Sequence, residues 1–180
     1  MQKAANFILY YLAWFACVLS LQAQQRWWWS ALAVAGVVSW HLWQSRQRRR
    51  DGVTLLLATL LGPLVDVVLL ASGLLVLPAS AGQVHPVVPP LAMWLLWPAF
   101  ATTFYSSLSW LVARPLWLSG CAFCGGPLAY LAAQAMVEGI VLAPDLTTAL
   151  LSIGVIWALA LPLLVALCRA GTCLTIRPRS

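Results

Sequence analysis

Six stretches of this chain are apolar almost without interruption, at about residues 6–22, 27–43, 53–77, 91–111, 116–137 and 147–168. Nothing else restricts the fold so strongly. A surface helix of a soluble protein repeats its apolar residues with a period near 3.6, whereas a run apolar on every side must be surrounded by protein or lipid. The first two runs, at 17 residues each, sit at the lower limit for crossing roughly 30 Å of hydrocarbon, and the others exceed it. The 180 residues are 63% hydrophobic and 8% charged, with a mean hydropathy of +0.91, well beyond the composition of a soluble domain. The longest internal connector, "PASAGQVHPVVPP" at 78–90, is far below the roughly 50 residues a domain needs. The expectation is an all-α integral membrane protein, a single membrane domain over 1–180 with six transmembrane helices. Function then resides among the helices, at their ends, or on a partner.

Charge fixes an expected orientation. With the N-terminus inside, Lys3, Arg46, Arg48, Arg49, Arg50, Arg114, Arg169, Arg177 and Arg179 are cytoplasmic and Arg26 alone is outside. That bias over short loops follows the positive-inside rule, and an even number of spans puts both termini in the cytoplasm. The same topology accounts for the net charge of +6, so no nucleic-acid partner is expected. The N-terminal "MQKAANFILYYLAWFACVLSLQAQQ" has the outline of a signal peptide, and "WFAC" that of a lipoprotein box at Cys17. Trp14 and Phe15 are the wrong types before such a cysteine, and removal would leave an odd number of spans. The segment is read as the first span.

Most of the eleven tryptophans mark interfaces. Trp27, Trp28, Trp29 and Trp94 fall at the outer boundary and Trp40, Trp43, Trp110 and Trp117 at the inner one. Trp14, Trp97 and Trp157 lie deeper and are assigned to packing between helices. "CAFC" (Cys121, Cys124) has redox spacing, but glycine follows it where haem attachment needs histidine, and zinc would need two more ligands at that depth. These cysteines are read as small packing residues, Cys168 and Cys173 as no closer to a ligand set, and no cofactor or metal is expected. "RQRRR" (46–50) reads as a topology anchor that can also attract anionic headgroups.

The third run contains the feature that packing alone does not predict, "LLGPLVDVVLL". Asp66 stands 13 residues into its span, about 20 Å along a helix and close to the midplane. A carboxylate there costs about 2.5–3.5 kcal/mol on insertion scales and faces protein or water. Thr59, Gly62, Asp66 and Gly73 share one helical face, and Pro63 removes a backbone donor, predicting a kink that frees a carbonyl. "GGPLAY" in the fifth run echoes "GPLVD": Gly126-Pro127-Leu128 matches Gly62-Pro63-Leu64, with Tyr130 at the place of Asp66. Matched Gly/Pro interruptions at one depth point to a midplane site in transporters. Gly126, Tyr130, Gln134 and Glu138 form a polar ridge on the fifth span. Thr102, Ser106 and Ser109 form a face of the fourth, and Asn6, Tyr10, Ala13 and Cys17 one of the first. The expected binding residues are Asp66, Tyr130, Thr102 and Gln134, framed by kinks at Gly62, Pro63, Gly126 and Pro127. His41, near the cytoplasmic end, is not expected to pair with Asp66.

In order along the chain, "WFACVL", "HL" after Trp40, "GPLVD", "LAMWLLWPAFATT…SLSWL" and "GGPLAYLA" resemble the bacterial inner-membrane family Domain of Unknown Function 2878, over about residues 7–165. The resemblance implies a small multi-helix inner-membrane protein and supplies no established activity. It also implies a genomic setting near fatty-acid-modifying enzymes of the cyclopropane-synthase kind, a lead toward lipid. The family pattern carries Asn-His within the "FATT…SL" segment, where this chain has Tyr105-Ser106; an activity that needs that histidine would be in doubt here.

Three functions fit these residues. One is a non-enzymatic protein that binds or helps to move a lipid or small amphiphile through a polar pocket at Asp66, with membrane lipids as partners. Another is a structural or assembly subunit that presents small-residue stripes to another membrane protein. The third, a lipid-modifying enzyme, needs acids and histidines to converge; Asp51, Asp66, Glu138, Asp145, His41 and His85 are dispersed along the chain.

Overall fold

The structure, a computed structural model, describes residues 2–22, 27–143 and 145–175, with side chains as far as 172. Arg26, Arg177 and Arg179 of the charge count, and the Cys173 side chain, lie outside the described residues. The chain is helical: α1 (Gln2–Ser20), α2 (Trp27–Gln44), α3 (Arg48–Leu61), α4 (Pro63–Ala71), α5 (Leu91–Ala101), α6 (Ser109–Val112), α7 (Pro115–Met136) and α8 (Leu146–Thr175). Four segments are long and apolar enough to cross a membrane: Gln2–Ser20, Arg48–Ala71, Pro115–Met136 and Leu146–Thr172. The longest interface joins α7 to α8, while α5 packs against α1, α2 and α3, and α3 also against α8. Leucines such as Leu12, Leu64, Leu128 and Leu159 remain exposed around the bundle, as an apolar solvent requires.

Asp145 opens α8. Its carboxylate accepts from the Thr147 N–H and the Thr148 hydroxyl. The Thr148 bond holds the carboxyl below its usual range.

The third run is helical from 48 to 71 with one interruption. Gly62 has helical dihedrals (φ −57°, ψ −48°) and separates α3 from α4. Pro63 has no N–H to offer the Thr59 carbonyl; the next bond is short-range, Val65 N–H to Gly62 O at 3.0 Å. In contrast, α7 continues as one helix through Pro127.

Two expected spans end early. The third leaves the helix at Ser72, not at 77. Gly73, expected on the Asp66 face, takes φ +70° and bonds to Leu70 O, a left-handed helix stop that a Cβ disfavours. Leu75 and Val76 then pair antiparallel with Leu142 and Val141. This two-residue ribbon, β1 (Leu75–Val76) with β2 (Val141–Leu142), ties the end of α4 to the loop after α7.

The fourth run, expected as a continuous helix over 91–111, is helical for only eleven residues in α5. Turns occupy 102–108 before α6 resumes. The cause is hydroxyl competition for backbone carbonyls: Thr102 donates to Ala99 O at 2.7 Å, Thr103 to Phe100 O at 2.6 Å and Ser109 to Ser106 O at 2.9 Å. Fully buried Asn6 of α1 clamps the segment. Its Nδ2 donates to Thr102 Oγ1 at 3.2 Å, and its Oδ1 accepts from Ser107 Oγ at 2.9 Å. Asn6→Leu removes both bonds, leaving Thr102 Oγ1 only its bond to Ala99 O and the half-buried Ser107 hydroxyl without its acceptor. We expect a loss of about 1–3 kcal/mol, read as a lower Tm of the purified protein in detergent. An unchanged Tm would show that the turns hold themselves.

Candidate functional site

Asp66 lies in the first turn of α4 and is 4% exposed. Two neutral donors converge on its carboxylate. The Tyr130 hydroxyl of α7 donates to Oδ1 at 2.6 Å, and the Trp97 indole N–H of α5 donates to Oδ2 at 2.8 Å. Each oxygen keeps a further lone pair for a ligand. Among the described residues no Lys, Arg or His forms an ion pair with Asp66; the ion pairs present are both made by Asp51.

The glycines of the repeated Gly-Pro-Leu motif explain how the indole reaches the acid. Trp97 stacks on Trp157 of α8 with centroids 5.5 Å apart and planes 11° from parallel. A Cβ on Gly62 would lie 2.1 Å from the Trp97 ring, and one on Gly126 would lie 2.4 Å from the Trp157 ring. Each glycine removes a side chain where a ring must touch a helix backbone. The stacked pair thus fits between α3–α4 on one side and α7 on the other. Gly154 performs a similar service, with a virtual Cβ 2.8 Å from Phe123 O, letting α8 approach α7.

Against this cluster is a cavity of about 90 Å³, several times the roughly 10–15 Å³ that admits one water on the same measure. Asp66 and Tyr130 supply its polar edge; Tyr10 and Trp14 of α1 add to the aromatic wall, and Leu75, Leu77 and Ile140 line it beside the ribbon. Of the expected binding residues, Asp66 and Tyr130 meet here. Thr102 does not: it is fully buried and committed to Asn6 and Ala99. Gln134 is turned to the ribbon, its Oε1 accepting from Leu142 N–H at 3.1 Å. Gly62, Pro63, Gly126 and Pro127 are all buried, with the two glycines serving as contact surfaces for indoles. Trp97, assigned from sequence to packing, also donates to the acid. The available signal was a deep tryptophan near the Asp66 depth, and a buried indole N–H needs an acceptor.

A second polar cluster joins the end of α2 to the start of α3. Asp51, 3% exposed, contacts His41 Nε2 at 3.2 Å and Arg50 Nη2 at 2.9 Å. It also accepts from Ser45 Oγ at 2.6 Å and Arg50 Nε at 2.9 Å. The Arg50 guanidinium lies 3.9 Å from the Tyr105 ring centroid, and a cavity of about 180 Å³ opens beside the group. The short 45–47 turn brings His41 to Asp51. Part of the basic run is therefore structural: Arg50 pairs with Asp51, and Arg48 donates to the Leu42 and Trp43 carbonyls. Among the described residues no three His, Cys, Asp or Glu side chains gather as a metal site. Cys17, Cys121, Cys124 and Cys168 are free thiols.

Gly62→Ala pushes Trp97 off its seat and costs about 1–3 kcal/mol. Trp97→Phe removes a donor to the acid, at about 1.5–3 kcal/mol, and thins the stack on Trp157. Thermal unfolding should show both losses, and the double variant should lose less than their sum because both act through one contact. Full additivity would separate the glycine from the indole's position. Asp51→Ala leaves the half-buried Arg50 and the buried His41 without their carboxylate and should cost about 1–3 kcal/mol; a neutral result by the same measurement would make the cluster incidental.

No curated protein and no solved structure matches this chain. A family model does, over residues 3–163, a span that takes in α1 to α7, both polar clusters and most of α8. The chain belongs to the family described as protein of unknown function (DUF2878).

Proposed function

We propose that this is a polytopic protein of a bacterial inner membrane, with six spans and cytoplasmic termini, that binds or helps to move a lipid or other small amphiphile through the pocket at Asp66. The observation that carries the reading is a buried acid, held by two neutral donors, on the edge of an otherwise aromatic and aliphatic cavity. Such a site offers one polar anchor and a dry wall, the chemistry of an amphiphile's two ends. In this reading α2 and the α5–α6 segment complete the six spans, and Gly-Pro bends at 63 and 127 flank the pocket. The orientation is supported by basic residues that share one end of the bundle: Arg48 meets the end of α2, Arg50 meets Tyr105, and Arg169 donates to Val112 O at 2.8 Å. Cavity shape and a single acid favour binding over catalysis.

A second reading, an assembly subunit, draws on one face of α7. Gly120, Cys121, Cys124 and Gly125 are exposed there, and nothing lies within 4 Å of a Cβ built on either glycine. Against it, the small residues at Gly62, Gly126 and Gly154 face inward and are filled by this chain's own rings.

The test uses purified protein in maltoside micelles and three single-chain probes of equal length: decan-1-ol, decyltrimethylammonium and decyl sulfate. At least one should bind saturably by tryptophan fluorescence. Ala133→Phe or Ala129→Phe, each filling the cavity, should weaken that probe by about tenfold or more, the size of 1.4 kcal/mol. If no probe saturates, or the filled cavity binds as well as the wild type, the pocket is not a binding site.

A further inference from the structure

We infer that the Asp66 pocket selects a lipophilic cation: a singly charged, protonated or quaternary amine carrying an alkyl chain and no phosphate. This rests on the proposed function above and names the ligand class of the same site. The first observation is charge. A carboxylate in a low-dielectric cavity needs a counter-charge or must give up its ionised form. The two groups bonded to Asp66 are both neutral, and no described side chain provides the cation. Trp97 N–H can only donate, so Oδ2 is held as an acceptor, while the Tyr130 hydroxyl at Oδ1 can donate or accept; the ionised form has room for a positive ligand.

The second observation is independent of the acid. Tyr10, Trp14, Trp97, Phe100, Tyr130 and Trp157 all border the cavity as an aromatic belt, of which all but Trp14 are linked ring to ring. Phe100 lies 5.6 Å from Tyr10, 6.3 Å from Trp97 and 6.2 Å from Trp157, while Tyr130 lies 6.4 Å from Trp157, centroid to centroid. Aliphatic side chains would make a cavity equally dry. Aromatic rings add a quadrupole that attracts ammonium groups, most strongly when they are desolvated, and Tyr10, Trp14, Phe100 and Tyr130 supply such rings outside the indole stack.

Size and lining narrow the class. About 90 Å³ accommodates an ammonium head, not a whole phospholipid. The aliphatic edge at Leu75, Leu77 and Ile140 suits a chain leaving beside the ribbon. Among the described residues no Lys, Arg or His lines the cavity, so the phosphate of a zwitterionic headgroup would be stripped of water with none of them to receive it. That disfavours phosphatidylethanolamine and phosphatidylcholine and leaves the simple alkylamine.

The same three probes decide the matter. Decyltrimethylammonium should bind about tenfold or more tightly than decan-1-ol, and decyl sulfate should not compete. Asp66→Asn should bring the cation's affinity down to that of the alcohol. Trp14→Leu, which alters the belt and leaves both bonds to the acid in place, should weaken the cation more than the alcohol and covers the case of an Asp66 variant that does not fold. Equal affinity for alcohol and cation, with Ala133→Phe abolishing both, would keep the pocket and overturn the cation. Cation binding that survives Asp66→Asn and Trp14→Leu would place it elsewhere and also overturn the inference. Failure of every probe would remove the pocket itself.

Discussion

The stacked Trp97–Trp157 pair is the contact on which the centre of this protein depends. Two indoles lie parallel, and each presses against a helix at a point where only glycine leaves room. The consequences are geometric. Trp97 is held with its N–H on Asp66, Tyr130 follows one turn after Gly126 and reaches the other carboxylate oxygen, and these rings with their aromatic neighbours border a cavity. Large, rigid rings held by backbone contact have few alternative rotamers, so the donors are in place before any ligand arrives. The repeated Gly-Pro-Leu motif is thus less a pair of hinges than a pair of seats for tryptophan, with proline placing a break beside one seat and leaving α7 continuous at the other.

The irregular 102–108 segment obeys a second constraint. Backbone that leaves a helix inside an apolar bundle must find partners within the protein. Hydroxyls of Thr102, Thr103 and Ser109 cap nearby carbonyls, and Asn6 bridges Thr102 and Ser107 with one amide. This ends α5 after eleven residues and turns Tyr105 toward Arg50. Beside the Asp51 cluster the chain therefore holds two polar regions of different make: a hydrogen-bonded clamp that secures backbone, and an acid on the edge of a mostly apolar cavity.

Sequence carried the helical class, the special position of Asp66 and its meeting with Tyr130, because hydropathy, burial cost and helical spacing are all local properties. It misassigned partners wherever depth stood in for direction. Thr102 belongs to a polar face of the fourth run, but that face meets Asn6 and not Asp66. Gly73 fitted the helical stripe by arithmetic, yet a helix stop interrupts the count before it. Gln134 fitted the ridge and serves a ribbon that two-residue strands could not announce. The bonding role of Trp97 was hidden by its type, since tryptophan in such a chain reads first as an interface marker or a space filler. The His41–Asp51 contact depended on a tight turn between α2 and α3 that composition does not encode.

The two buried acids of this chain form an internal comparison. Asp51 has the company a buried carboxylate requires: a guanidinium, an imidazole and a hydroxyl, at the end of the bundle where the arginines gather. The fold can evidently bring a cation to an acid. Asp66 is as well buried but is given a phenol, an indole and aromatic walls instead. Replacing Asp66 alone by a hydrophobic residue would leave the Trp97 N–H and the Tyr130 hydroxyl without their acceptor, at about 1–3 kcal/mol each. The two hydrogen bonds, at about 1.5–3 kcal/mol each for a charged acceptor, are in turn set against the several kcal/mol of desolvating a carboxylate. As a structural element with neutral partners the acid is thus near break-even. An ionised Asp66 is stabilised further by a positive ligand in the cavity, as Asp51 is by Arg50.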